Sequence, residues 1–227
     1  MDGIVPETLR VAAVQPFSPL DFPGRLAAVF FLAGCPWRCP YCHNPELQRR
    51  GRGGLPWPRL AAWLEARRGL LDAVVISGGE PTASPHLSAL AAALRARGFA
   101  VGLHSAGAVP ERLAAALPYL DWVGFDVKAP FAAYARITGR TRSGDAARRA
   151  LDILRESGVA HEIRTTLDPA LLDEAALLAL ARDLARHGVR HWVLQARAEG
   201  GRAAPLDLSP ALIAALRAEV PEIAFRH

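Results

Sequence analysis

The chain has 227 residues, a formal net charge of +5 and 51% hydrophobic side chains, which is enough apolar material for a core and too much for a disordered chain. Its arginines are scattered beside Asp and Glu through helical segments, with no basic stripe interleaved with aromatics, so they read as solvated helix faces and argue against a nucleic-acid surface. No apolar run reaches the roughly 18 residues of a membrane span, and Met1-Asp2-Gly3 opens without the basic and apolar regions of a signal peptide, so a cytoplasmic protein with no membrane association is expected.

Residues 1–25 are proline-rich and predict an irregular segment, with Asp21-Phe22-Pro23-Gly24 as a turn into the first strand. Strand-like runs follow at Leu26 to Leu32, Ala73 to Ser77, Ala100 to His104, Trp122 to Val127, His161 to Thr166 and His191 to Gln195. Helical patterns lie at Trp57 to Arg68, Pro85 to Arg97, Pro110 to Ala116, Ser143 to Ser157, Leu171 to His187 and Pro210 to Ala218, with apolar residues at spacings of three and four. Gly98, Gly158 and Gly188 each follow a last helical turn and supply its stop. Gly200-Gly201 reads as the loop into the last helix.

Six β-α units with mostly buried strands predict a parallel sheet with right-handed crossovers. A full eight-unit barrel typically needs about 250 residues. The expected fold is therefore α/β, a partial (β/α)6 barrel of parallel strands, laterally open. It forms a single domain over residues 1–227 whose end, 196–227, is a loop and a helix. A doubly wound open sheet is the alternative.

All three cysteines lie in Cys35-Pro36-Trp37-Arg38-Cys39-Pro40-Tyr41-Cys42-His43-Asn44, just after the first strand. Such clustering points to metal or catalysis and a reducing compartment, not to disulfides. A structural zinc site closes with four protein ligands, whereas a cube of iron and sulfur held by three thiolates leaves one iron open to an exogenous ligand. His43 can in principle complete a Cys3His zinc site, but its adjacency to Cys42 makes joint ligation awkward. No cysteine remains for a second cluster.

Sites in parallel α/β folds collect at the C-terminal ends of strands. The second strand ends in Ser77-Gly78-Gly79-Glu80-Pro81, where paired glycines permit close approach of a ligand and Glu80 offers a carboxylate to an ammonium. The third ends in His104-Ser105-Ala106-Gly107. The fourth ends in Gly124-Phe125-Asp126-Val127-Lys128, where period-two alternation turns Asp126 and Lys128 the same way, as an opposite-charge pair suited to a zwitterion. Arg164, near the end of the fifth, presents a planar fork for a carboxylate, and Gln195 ends the sixth. Lys128 is the only lysine among 27 basic residues and Asn44 the only asparagine, and both fall at these positions.

Cys-x3-Cys-x2-Cys with Tyr41 before the last cysteine resembles the radical S-adenosylmethionine (SAM) superfamily. The wider string, Asp21-Phe22-Pro23-Gly24-Arg25 through Phe31-Leu32-Ala33-Gly34 to Cys42-His43-Asn44-Pro45-Glu46-Leu47, is similar to the activating proteins of glycyl radical enzymes, in particular the anaerobic ribonucleoside-triphosphate reductase activating type. The resemblance implies one 4Fe-4S cluster on Cys35, Cys39 and Cys42, which become the catalytic residues through it. It places SAM against Tyr41 at the adenine, Gly78, Gly79 and Glu80 at the amino group, Lys128 at the carboxylate, and Ser105, Asp126 and Arg164 nearby. The chain departs from the pattern at His104 and Ala106, where the family has Asp or a similar residue and then Thr-Asn-Gly. The implied reaction passes an electron from a low-potential donor through the cluster to the sulfonium, producing methionine and a 5'-deoxyadenosyl radical that removes hydrogen from a glycine Cα. The implied partner is a glycyl radical enzyme, an anaerobic ribonucleotide reductase. Two competitors remain at this point: a small-molecule radical SAM enzyme such as a 7-deazaguanine-type synthase, and a non-enzymatic electron-transfer or metal-binding module.

Overall fold

A computed structural model describes residues 5, 9–49, 51, 53–199, 202–203 and 206–226. All six expected strands form, as β2 (Ala27–Leu32), β3 (Ala73–Gly78), β4 (Ala100–Ser105), β5 (Trp122–Asp126), β6 (Ala160–Leu167) and β7 (His191–Ala196). Two more flank them: β1 (Ala13–Ser18), antiparallel to β2, and β8 (Glu222–Arg226), parallel to β7. Both correct the expectation in detail, since β1 lies inside the segment read as irregular and β8 inside the end read as loop and helix. Neither carries the usual signal. β1 is mostly exposed, and β8 has only five residues. The Gly200-Gly201 loop lies outside the described residues.

The eight strands form one sheet in the order β8-β7-β6-β5-β4-β3-β2-β1. From β2 to β8 spatial order follows chain order, without the reversal that defines a doubly wound sheet. β1 and β8 are the two edges and do not pair with each other, so the barrel stays open between them. Helices α1 (Trp57–Glu65), α2 (Leu87–Arg95), α3 (Pro110–Ala116), α4 (Tyr134–Thr138), α5 (Ser143–Glu156), α6 (Glu174–Arg186) and α7 (Pro210–Glu219) occupy the connections. α6 starts three residues later than its apolar pattern because the Asp173 carboxylate accepts a hydrogen bond from the Ala176 amide and caps it there. Among the described residues no helix is long and apolar enough to cross a membrane.

Period-two alternation sorts the strand residues into two cores. Ala28, Phe30, Val74, Ile76, Val101, Leu103, Val123, Phe125 and Ile163 belong to the large core shared with Leu60, Leu90, Leu113, Leu151 and Leu180 of the helices. The alternate residues Ala27, Val29, Ala73, Val75 and Trp122 form a second, smaller cluster inside the curve of the sheet, with Phe22 among them. Phe22 is buried, its ring 5.7 Å from that of Trp122, and Gly102 supplies the space it fills: a Cβ on Gly102 would lie 2.9 Å from the Phe22 ring. The turn before β2 thus plugs the barrel and leaves it apolar below and open above.

Removing that plug should leave a cavity that the rigid strands cannot close. Phe22→Ala is expected to cost about 3 kcal/mol, measured as a lower urea midpoint with an unchanged slope.

Candidate functional site

Above the Phe22 plug, one cavity of about 450 Å3 is lined by Cys35, Cys39, Tyr41, Cys42, Gly78, Gly79, Glu80, Ser105, Asp126, Lys128 and Arg164, which is every residue singled out from the sequence for cluster or cofactor. Asp21 of the Asp21-Phe22-Pro23-Gly24-Arg25 string and Gln195 at the end of the sixth expected strand also line it, and Trp37, Thr166 and Arg226, which the sequence reading did not place there, join them. Alternation along β6 could have found Thr166, two residues beyond Arg164; Arg226 sits on a strand that was not foreseen.

The cysteines lie on a loop closed at its base by backbone bonds from Gly34 N–H to the Leu47 carbonyl (2.7 Å) and from Cys35 N–H to the Gln48 carbonyl (3.0 Å). The Gly78-Gly79 turn locks under that base. Gly79 N–H donates to the Leu32 carbonyl at 2.9 Å and Glu80 N–H to the Gly34 carbonyl at 3.0 Å. A Cβ on Gly78, whose φ is +130°, would lie 2.1 Å from the Leu32 oxygen, and one on Gly79 would lie 2.6 Å from the Leu47 oxygen and 2.8 Å from the Gly34 oxygen. Both positions exclude any side chain.

The outer side of the loop leans on α4, an element with no signal in the sequence. Arg38 N–H donates to the Thr138 carbonyl (2.8 Å), Arg140 Nε to the Pro36 carbonyl (2.9 Å), and Trp37 packs edge-on against Tyr134 at 5.6 Å. The Tyr134 hydroxyl in turn accepts the Lys128 backbone N–H at 3.1 Å, so one short helix couples the cysteine loop to the end of β5.

Glu80, read from the sequence as a ligand carboxylate, is also held by the protein itself. It is buried, and its Oε1 accepts from Thr82 N–H (3.0 Å), Thr82 Oγ1 (2.6 Å) and Ser105 Oγ (2.6 Å), while Oε2 accepts from Ala106 N–H (2.9 Å). Four donors from two strand ends hold it, leaving Oε2 as the atom with capacity toward the cavity. Ser105 is likewise committed to Glu80.

A charged group faces the cysteines from the next strands. Arg164 Nε donates to Asp126 Oδ1 at 2.9 Å, and Lys128 Nζ lies 3.8 Å from Asp126 Oδ2 and 6.0 Å from the centre of the Tyr41 ring. Gly124 makes room for the guanidinium, since a Cβ there would lie 2.7 Å from Arg164 Cζ. Burial works to raise the Asp126 pKa, but Arg164 and then Lys128 overturn it and hold the carboxyl below the ordinary range. For Lys128 burial opposes the charge, and the acidic groups around it, Tyr41 first and then Asp126, reverse the effect and raise its pKa. Both therefore stay ionised. The Tyr41 hydroxyl is buried without a hydrogen-bond partner among the described residues.

His104 stands where the sequence departs from the family pattern. Its Nε2 lies 3.0 Å from the Asp21 carbonyl, which can only accept, so Nε2 carries the proton. Its ring meets Trp122 edge-on at 5.6 Å, and burial, then Arg164, push its pKa down to about 4. It is a neutral strut between β4 and the plug segment.

The donor set fits an iron-sulfur cluster. Burial raises the Cys35 thiol to about 11 and also raises Cys39, so these sulfurs remain neutral until a cation deprotonates them, as coordinating metals do. The Asp126, Lys128 and Arg164 group gives a zwitterionic cofactor partners of both signs in the same space.

A model of the Radical SAM superfamily matches residues 29–181. A Methanocaldococcus jannaschii protein named as a glycyl-radical enzyme activating enzyme is 29% identical over 76% of this chain and 74% of its own length. The benzylsuccinate synthase activating enzyme of Thauera aromatica is 53% identical, over 17% of this chain and 11% of its own. The structure of a radical SAM methyltransferase from Sphaerobacter thermophilus shares the fold, with a TM-score of 0.65 and 17% identity over 90% of this chain and 67% of that one.

The His104 strut makes stability pH-dependent. Between its ordinary pKa of 6.5 and its folded value of about 4, the unfolded chain binds a proton that the folded chain does not. Its contribution is complete above 6.5 and declines as pH falls through that window. The urea midpoint should drop from pH 7.5 to pH 4.5, and His104→Gln should flatten part of the drop.

Proposed function

The chain belongs to the radical SAM superfamily, and from that membership we propose that it activates a glycyl radical enzyme by removing hydrogen from a glycine Cα of that partner. It is a radical SAM enzyme whose cofactors are a 4Fe-4S cluster and SAM. When bound, they supply a one-electron reductive cleavage whose carbon radical takes a hydrogen atom from the target. A low-potential electron donor provides the electron, and a reducing cytoplasmic location suits a cluster held by three cysteines with one iron open.

The observation that carries the reading is the convergence on one cavity of the cysteine loop, the Gly78-Gly79-Glu80 turn and the ionised Asp126, Lys128 and Arg164. In this proposal Cys35, Cys39 and Cys42 would hold the cluster. Backbone groups of Gly78 and Gly79, with Glu80 Oε2, would receive the SAM ammonium. Lys128 would meet its carboxylate, while Tyr41 and Ser105 would border its nucleoside. Asp126 and Arg164 hold each other and, through Asp126, steady Lys128. The apolar layer around Phe22 and Trp122 closes the bottom of the cavity and keeps water and stray hydrogen donors from the reactive carbon.

The open side between β1 and β8 admits a protein loop, which favours a macromolecular substrate over a small one. The likeness to activating enzymes supports the class of partner. The run Asp21-Phe22-Pro23-Gly24-Arg25 and the string Cys42-His43-Asn44-Pro45-Glu46-Leu47 favour an anaerobic ribonucleoside-triphosphate reductase within that class. Mixing the reduced, SAM-loaded protein with candidate glycyl radical enzymes and recording electron paramagnetic resonance tests this: a glycyl signal is expected with the reductase, and a signal only with another partner would reassign it.

Cys35→Ala, Cys39→Ala and Cys42→Ala are each expected to abolish 5'-deoxyadenosine formation, because the chain holds no replacement thiol. Turnover retained by any one of them would contradict the ligand assignment.

A further inference from the structure

The cavity has two walls of different chemistry. Toward β5 it is charged, with the Asp126 carboxylate shared between Lys128 and Arg164. Toward the open edge lies a row made by adjacent strands in register: Thr166 of β6 opposite Gln195 of β7, and Gln195 opposite Arg226 of β8. All three line the cavity, and the outer edge of β8 has no strand beside it among the described residues. Arg226 is held by Glu162 at 2.9 Å, which leaves Thr166 and Gln195 as the neutral part of the row.

Gln195 is oriented. Its Nε2 donates to Thr166 Oγ1 at 2.8 Å, which restrains the carboxamide. Among the described residues Oε1 and the second N–H have no other hydrogen bond. One acceptor and one donor on the same planar group match the N–H and C=O that a single residue of an extended chain presents on one side. The methionine end of SAM gains little from such a group, and its nucleoside is bordered by Tyr41 and Ser105 in the reading above, whereas a peptide main chain entering at the open edge pairs with both of its atoms.

We infer that Gln195, aligned by Thr166, grips the main chain of the entering glycine loop through a paired amide contact and so places the target Cα–H over the cofactor. This rests on the activase reading above. Gln195 is a positioning residue, and it reads backbone, so it imposes register on the loop without demanding particular side chains.

The test uses the reconstituted, reduced protein with SAM and peptides of about seven residues taken from the glycine loops of candidate glycyl radical enzymes. Each carries an α,α-dideuterated central glycine, and deuterium appearing in 5'-deoxyadenosine is the readout. A second set carries a single N-methyl group, placed in turn on each amide within two residues of the glycine. Wild type is expected to lose about tenfold in deuterium transfer at one methylated position, the loss of a two-hydrogen-bond contact. Gln195→Ala is expected to transfer deuterium from the methylated and plain peptides at rates within about twofold of each other, with a raised KM for the plain peptide. Equal transfer by wild type from all methylated peptides would overturn the inference, as would undiminished discrimination in Gln195→Ala. If wild type forms 5'-deoxyadenosine but takes deuterium from no peptide, the activase reading fails and the inference falls with it.

Discussion

From Cys35 to Asn44 the chain has no helix or strand, yet it must hold three sulfurs in fixed relation to groups on four different strands. It does so through contact between the base of the loop and the turn after β3. The Gly34 carbonyl accepts from Glu80, the Leu32 carbonyl accepts from Gly79, and the Gly34 and Cys35 amides are tied to Leu47 and Gln48. The approach is so close that Gly78 and Gly79 have no room for a methyl group. Once that contact exists, much else follows from it. Glu80 is driven inward, where its carboxylate gathers Thr82, Ser105 and Ala106, and the ends of β3 and β4 become one rigid rim.

Around this rim the cavity is organised by polarity. An apolar plug of Phe22 and Trp122 closes it below, ionised groups of β5 and β6 face the sulfurs, and a neutral row of hydrogen-bonding side chains leads to the open edge. Each layer does something the others cannot. In the proposed reading the plug excludes water, the two cations sharing Asp126 leave positive charge for a zwitterion's carboxylate with no ion buried unpaired, and the neutral row suits an uncharged main chain. Because Asp126 is shared between Arg164 and Lys128, the position of the lysine proposed to meet the cofactor's carboxylate is already set.

The cysteine string and the strand-end motifs made the residues that converge on the cavity legible in the sequence, because a parallel sheet brings C-terminal strand ends together whatever the intervening helices do. What escaped was non-local or unpatterned. α4 is too short to show a period, and its importance lies in contacts from Thr138 and Tyr134 to a loop about a hundred residues earlier. β1 and β8 are the edge strands among the described residues; β1 is mostly exposed and β8 has only five residues, so neither shows a buried alternation. Glu80 was visible as a carboxylate at a ligand site, but the sequence could not reveal that Ser105 and Ala106 of another strand end claim most of its oxygens. His104 looked like a lapse in the motif and proves to be a strut on Asp21 and Trp122.

The most direct measurement is anaerobic reconstitution with iron and sulfide, reduction with dithionite in the presence of SAM, and chromatography for 5'-deoxyadenosine. The arrangement of the cysteine loop opposite Asp126, Lys128 and Arg164 predicts that a loaded, reducible cluster forms and that reduction releases 5'-deoxyadenosine and methionine in equal amounts. A cluster that loads and reduces but leaves SAM intact, with and without candidate partners, would contradict it.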